Sequence, residues 1–171
     1  MAANDTQDLD LIQEIENEDT QEGKYLTFTL GDEEYGIEIR NVTEIIGIQN
    51  ITDLPDTPDF VKGVINLRGK VIPVIDVRLR FKLKEREYND RTCIIVVNIN
   101  NKSVGLIVDT VSEVIDIPKT NIEPAPRLNN KSGSRYIQGL GKVEDKVKIL
   151  LDTRRLLFEE EMEQISDSFT T

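Results

Sequence analysis

Histidine and tryptophan are absent from this 171-residue chain, and it carries one cysteine, two methionines and only 5% aromatic residues. Each shortage closes a class of function. Without histidine there is no imidazole general base, no nucleophile–histidine pair and no histidine metal site. One cysteine cannot close an internal disulfide or build a thiolate cluster. Cys93 lies in the apolar run Cys93-Ile94-Ile95-Val96-Val97, where it reads as a buried structural thiol, and cytoplasmic residence is the default for such usage. No apolar run approaches 18 residues and no charged-then-apolar start is present, so neither a membrane span nor a secretory signal is expected. Phosphate-cradling glycine loops and dinucleotide fingerprints are missing as well. Asp109-Thr110 and Asp152-Thr153 come nearest to an aspartic-protease pair, but Val111 and Arg154 follow them where glycine is needed. They read instead as a strand-end turn and a helix cap. The inventory predicts a protein that is not an enzyme and holds no cofactor and no metal.

Basic residues are also missing from the ends. Residues 1–23 hold eight acids and no Lys or Arg, and residues 159–171 hold five more acids, again without a base. The remaining 24–158 carry the other nineteen acids against all 21 bases, so the formal net charge of −11 belongs to the ends. These read as solvated acidic tails, the first of them disordered, that repel nucleic acid.

What the chain does contain is itself, twice. Residues 25–48 lie over 94–117 at a constant offset of 69, with Gly36, Val42, Glu44, Ile46 and Ile48 meeting Gly105, Val111, Glu113, Ile115 and Ile117. Residues 60–81 lie over 136–157 at an offset of 76, with Gly63, Lys70, Val71, Asp76 and Arg78 meeting Gly139, Lys146, Val147, Asp152 and Arg154. Residue frequencies of about 5–7% give roughly one or two chance identities per window, so five in each gapless block mark an internal duplication.

Each copy reads as about five short strands. Runs at 25–30 and 93–99 end in turn residues and resume at 35–39 and 104–108, which is hairpin logic. Third strands follow at 42–48 and 111–117, then second hairpins at 61–77 and 137–151 around the turns Arg68-Gly69 and Glu144-Asp145. Five strands suit a small closed barrel with few open edges. The fold class is therefore all-β: two five-stranded barrels related by duplication, with helix confined to the ends. The expected divisions are an acidic tail at 1–23, a first barrel at 24–84, a second at 85–152, and a C-terminal helix and acidic tail at 153–171. Asp152-Thr153 would cap that helix, with Leu156, Leu157, Met162 and Ile165 as its apolar positions.

Positions that differ between the copies are candidates for a task. Asn66-Leu67-Arg68-Gly69 becomes Lys142-Val143-Glu144-Asp145, which reverses the charge at a turn. Arg68 brings five donors on a planar head to a hairpin tip, suited to a carboxylate or to peptide carbonyls. Pro73 faces Ile149 across the copies, and proline in a strand implies an edge or bulge, hence a free rim on the first half. The run Arg78, Arg80, Lys82, Lys84 and Arg86 alternates with mostly apolar residues. It supports an alternative reading, a nucleic-acid-binding barrel protein using 78–86, against the more ordinary one of a solvated strand-and-linker face.

Several of these segments together resemble the CheW family of chemotaxis coupling proteins: Gly31-Asp32-Glu33-Glu34-Tyr35-Gly36-Ile37, Val42-Thr43-Glu44-Ile45, Pro55 with Pro58, the stretch 60–69 ending in Asn-Leu-Arg-Gly, Pro73-Val74-Ile75-Asp76, and Ile122-Glu123-Pro124-Ala125-Pro126. The resemblance covers about 24–158. It implies two SH3-like barrels with a core in each and another between them. It also implies a non-enzymatic adaptor, monomeric when free, that couples the cytoplasmic tips of methyl-accepting chemotaxis receptors to the regulatory domain of the histidine kinase CheA. Such a protein is cytoplasmic and recruited to receptor arrays at the inner face of the membrane, without inserting into it and without binding nucleic acid. By the same resemblance Val42, Glu44, Gly63, Arg68 and Val114 belong to the receptor contact, in a groove between the halves. Ile46, Gly47 and Ile48 face the kinase, and Glu123 and Leu128 form a second ring contact, where some relatives carry arginine and phenylalanine.

Overall fold

The computed structural model describes residues 21–125 and 136–157. Residues 1–20 of the acidic N-terminal segment, Leu128, the acidic C-terminal segment and the helix positions Met162 and Ile165 lie outside the described residues. Eleven strands and two short α-helices are seen among them, with single 3-10 turns at Ile39–Asn41 and Lys119–Asn121. In chain order they are β1 (Lys24–Leu30), β2 (Glu33–Glu38), β3 (Val42–Gly47), β4 (Val61–Leu67), β5 (Lys70–Asp76), α1 (Val77–Arg80), β6 (Cys93–Ile99), β7 (Lys102–Val108), β8 (Thr110–Asp116), β9 (Ile122–Glu123), β10 (Ile137–Val143), β11 (Lys146–Leu151) and α2 (Thr153–Leu157).

The duplication reaches down to irregularities. A bulge falls between Val61 and Gly63 where β4 meets β5, and another between Ile137 and Gly139 where β10 meets β11. β3 slips register between Val42 and Glu44, and β8 does so opposite Thr27/Phe28, between Glu113 and Val111. All four sites obey the sequence offsets. Bulges re-aim a strand and are kept when a barrel must bend at that point.

The two sheets do not follow the copy boundary. One runs β8-β1-β2-β11-β10-β9 and the other β3-β6-β7-β5-β4. Each copy has given its first hairpin to the other's sheet: β1–β2 sit among second-copy strands, and β6–β7 among first-copy strands. Parallel pairing of β2 with β11 and of β5 with β7 seats the exchanged hairpins. The boundary expected between 84 and 85 is thus corrected. The five-stranded sheet spans 42–108 without a break, and the six-stranded sheet is assembled from the chain on either side of it. Hairpin formation is local and readable, whereas the sheet a hairpin joins is decided by pairings far apart in sequence.

The exchange explains why the first strands are buried on both faces. Leu26, Phe28 and Leu30 of β1, with Ile95, Val97 and Ile99 of β6, enter one large cluster that joins the two sheets. The opposite face of β6 sends Ile94 and Val96 into a second cluster with Ile65, Ile72 and Val74, inside the five-stranded barrel. Tyr25 of β1 joins Ile117 and Leu150 in a third, inside the six-stranded barrel. Two barrels with a core in each and one between them is the arrangement expected. A strand with apolar residues on both faces reads as a continuous run, as 93–99 does.

Three expectations need correction. Helix is not confined to the ends, since α1 follows β5 directly; Asp76 accepts a hydrogen bond from the backbone N–H of Leu79 at 3.3 Å, as a helix N-cap does. Pro73 is buried in β5, between β4 and β7. It is tolerated because the β5–β7 pairing begins only at Val74, so the missing donor falls where β5 has not yet met β7. Cys93 is half-buried, the first residue of β6.

Candidate functional site

The β4–β5 turn is a two-residue reversal in which Leu67 pairs with Lys70. Its backbone enters the left-handed region at both central residues, Arg68 (φ 51) and Gly69 (φ 86), and the Gly69 N–H donates to Asn66 Oδ1 at 2.8 Å. This is type I′ turn chemistry, with glycine supplying the second positive φ without steric cost. Arginine in that region is uncommon. The geometry holds the Arg68 side chain 73% exposed at the tip, where its Nη2 donates to Glu44 Oε1 at 2.7 Å. Glu44 is on β3, at the opposite end of the same sheet order, so this contact exists because the sheet curls until its outer strands approach.

Gly63 makes that closure possible. It adopts φ 145, and a Cβ there would lie 2.0 Å from the carbonyl oxygen of Thr52. Thr52 and Val64 exchange backbone hydrogen bonds of 2.9 Å each way, which pins the chain after β3 onto β4. Gly63, expected at the receptor contact, is buried and shapes the backbone here. In the six-stranded sheet β9 closes onto β10 in the corresponding way.

The other residues singled out from sequence are spread over both sheets. Val42 is half-buried against the central core. Ile46 and Ile48 lean into the core of the five-stranded barrel, while Gly47 between them is exposed, with open space where a side chain would stand. Val114 is exposed on β8 of the other sheet. Glu123 is exposed on β9 and pairs with Lys142. Of the receptor set, the structure joins Glu44 and Arg68 directly. Sequence reasoning passed over Ile45 and Val71, which are exposed at 43% and 52%; their copy-equivalents Val114 and Val147 are exposed at 51% and 50%. Strand alternation against the duplication offsets was the signal that could have found them.

The basic run at 78–86 does not form one face. Arg78 gives two hydrogen bonds to Asp109 at 2.7 and 2.6 Å, and Arg86 gives a third at 3.0 Å. The Gly31 N–H adds a fourth to the same carboxylate at 2.8 Å. Burial pushes the Asp109 carboxyl up, but the hydrogen bonds from Arg78, Gly31 and Arg86, with the charge of Arg78, outweigh it and hold the group below its ordinary value. Arg80 turns inward and is buried between the rings of Phe60 and Tyr136, its guanidinium carbon 4.2 and 4.8 Å from their centroids. These two aromatics are themselves copy-equivalents, so one cation is sandwiched where the halves meet. A run of alternating bases is thereby split between an ion-pair network, a core position and solvent, which removes the basis for a nucleic-acid groove there. Asp152 caps the backbone N–H of Arg155 at 3.2 Å, the role read for it; Asp109 lies at the bend between β7 and β8, and its side chain is in addition an ion-pair hub that the sequence reading did not include.

Among the described residues no three side chains of His, Cys, Asp or Glu gather as a metal site requires, and no helix is long and apolar enough to cross a membrane. Comparison with known proteins supplies what geometry alone does not. Residues 24–161 match the family model of the CheW-like domain. The chain is 43% identical over 139 residues to the chemotaxis protein CheW of Klebsiella aerogenes, covering 81% of this chain and 84% of that one. It is 36% identical over 137 residues to the chemotaxis protein CheW of Bacillus subtilis, covering 80% and 88%. The crystal structure of the scaffolding protein TtCheW from Thermoanaerobacter tengcongensis superposes with a TM-score of 0.75 at 39% identity, over 81% of this chain and 94% of that one. A match over most of the chain, a shared pair of barrels and relatives at this level of identity place the chain in the CheW-like family.

Proposed function

We propose that this protein is a non-enzymatic adaptor that couples the cytoplasmic tips of chemoreceptors to the regulatory domain of the chemotaxis histidine kinase CheA, on the cytoplasmic side of receptor arrays. The family supplies the scaffold role in chemotaxis. The observation that carries the finer reading is the exposed Arg68, held at a hairpin tip in an uncommon backbone conformation and aimed by Glu44. A surface pair of this kind contributes only about 0–1 kcal/mol to stability, so the fold gives little reason for the arginine. A rigid planar cation at a tip suits a helix end or carboxylate on a receptor. In this reading Val42, Glu44, Gly63, Arg68 and Val114 form or shape the receptor surface. Ile46, Gly47 and Ile48 meet the kinase, and Glu123 with Leu128 makes the second ring contact. Coupling then works by differential contact: two surfaces on one rigid body let a receptor state bias a kinase state.

Arg68→Glu, which copies the charge of the second half, is expected to weaken binding to receptor-tip fragments by about tenfold or more, a loss of about 1.4 kcal/mol, while circular dichroism and the melting transition stay as in the parent. Pairing it with Glu44→Arg restores the ion pair but not the receptor affinity. Unchanged receptor binding would take Arg68 out of the contact surface, and failure of the parent protein to bind either receptor tips or the kinase regulatory domain would end the adaptor reading.

A further inference from the structure

A single connection joins two halves, neither of which closes a barrel from its own strands. Dividing the chain after Phe81 leaves β1–β5 on one side and β6–β11 on the other. Four ladders cross that divide: β1–β8 and β3–β6 antiparallel, β2–β11 and β5–β7 parallel. The cores cross it as well. Ile65, Ile72 and Val74 fill the five-stranded barrel together with Ile94, Val96 and Ile107, and Tyr25 meets Ile117 and Leu150 in the other. Each half thus needs the other, but nothing in these pairings requires the other to belong to the same chain. Only the connection imposes that.

That connection turns back on itself at one residue. The Leu83 N–H donates to the Arg78 carbonyl at 2.8 Å and the Lys82 N–H to the Leu79 carbonyl at 3.0 Å, the paired bonds that end a helix on a left-handed residue. That residue is Lys82, at φ 60, where glycine is usual. Beyond the reversal, 83–89 is neither helix nor strand, and 82–87 are all exposed. The segment is fastened at few points. Arg78 Nη1 donates to the Lys84 carbonyl at 3.0 Å, Lys62 to Glu85 at 2.8 Å, Arg86 to Asp109 at 3.0 Å, and the Tyr88 hydroxyl to Asp76 at 2.8 Å. Straightened, 82–92 reaches about 36 Å, far enough to carry β6 into a neighbouring molecule.

We propose that 82–92 is a hinge, closed at Lys82, through which two copies of this chain complete each other, β1–β5 of one with β6–β11 of the second and the reverse. Every ladder and core of the monomer is kept in that reciprocal dimer. The balance rests on the entropy of joining two molecules and on the hinge, which counts twice because two are opened. Such a dimer displays each surface of the monomer twice.

The test uses the full-length chain carrying Cys93→Ser, Lys24→Cys and Asp116→Cys. Lys24 and Asp116 face each other in the β1–β8 ladder, so a disulfide between them crosses the divide. The chain is unfolded in urea with reductant, refolded at high and at low protein concentration, oxidised, and run on a denaturing gel without reductant. A monomer gives single chains, and the reciprocal dimer gives two chains covalently linked, more of them at high concentration. Adding Lys82→Val, whose branched side chain resists the left-handed region, weakens each reversal about tenfold, so the dimerisation constant rises about a hundredfold. Lys82→Gly lowers the linked fraction below the parent's. Should Lys82→Val not fold, Arg86→Gln with Tyr88→Phe, which cuts two fastenings and leaves the reversal intact, raises the linked fraction as well. The proposal is overturned if that fraction is the same in the parent and these variants. It is likewise overturned if Lys24→Cys without Asp116→Cys links as many chains, or if dimers seen by light scattering run as single chains on the gel, the mark of face-to-face association.

Discussion

Gly63→Ala is expected to cost about 3 kcal/mol or more, seen as a lowered midpoint in urea with an unchanged slope. Two effects add. Alanine resists φ 145, and holding a side-chain-bearing residue in so sparsely populated a region costs about 1–3 kcal/mol. Its Cβ would also sit 2.0 Å from the Thr52 oxygen, a backbone atom already tied to Val64. Relieving that contact means parting Thr52 from β4 and opening the barrel where the chain after β3 closes it. Gly139 is the copy-equivalent, yet Gly139→Ala is expected to cost clearly less. A Cβ there would meet the Ile122 side chain at 2.8 Å and a backbone oxygen at 3.1 Å, without a positive φ. Equal losses at the two positions would show that the bulge, and not the Thr52 contact, sets the cost. Because Glu44 and Arg68 meet across the same closure, the proposed adaptor role predicts that a Gly63→Ala protein that still folds also binds receptor-tip fragments more weakly.

Asp109→Asn should cost about 2–3 kcal/mol, the scale of hydrogen bonds to charged groups in a half-enclosed site. The side chain of Asp109 is only 13% exposed and takes hydrogen bonds from Arg78, Arg86 and Gly31. An amide keeps one acceptor, turns an N–H₂ toward a guanidinium, and leaves Arg78 without its counter-ion. The loss should be pH-dependent, with a definite sign. The folded pKa of Asp109 lies below its ordinary value, which for an unfolded aspartate is about 3.9. Stabilisation from the carboxylate is therefore fully present above about pH 4 and fades as the pH falls through the lower folded value. Parent and Asp109→Asn should differ by the full amount at neutral pH and converge in acid. A gap between them that stays constant from pH 7 to pH 3 would mean the ion pairs are not its origin.

Much of the fold could be read from the residues. Runs such as Cys93–Ile99, the turn residues that end them, and the paired offsets fix the strands, the hairpins and the two-barrel plan. The exchange of hairpins could not be read this way, because it rests on pairings between distant segments: the antiparallel β1–β8 and β3–β6 ladders and the short parallel contacts of Gly36 with Leu150 and Val74 with Gly105. These carry no local signature. The helical turn α1 was legible and went unread: Asp76 and Asp152 match at the offset of 76, and a cap inferred at one implies a cap at the other. For the candidate site, turn chemistry placed Arg68 at a tip, but its meeting with Glu44, 24 residues earlier, depends on how far the sheet curls. Alternation assigned Arg80 to a basic face. The aromatic pair Phe60 and Tyr136, seventy-six residues apart, instead draws it inside, a tertiary contact that overrides the local pattern.

The exchange of hairpins also orders events during synthesis. Residues 24–38 form their hairpin early, but one neighbour, β8, ends at Asp116 and the other, β11, ends at Leu151. Until both have been made, the two edges of this hairpin are not both paired: Leu26, Phe28 and Ile37 can already meet the five-stranded sheet through the central core, but the long loops to β8 and β11 must close before their own sheet is complete. This hairpin is thus made before both of its neighbours in the sheet and secured only after them, and nascent chains halted short of Lys146 should stay open to proteolysis within it.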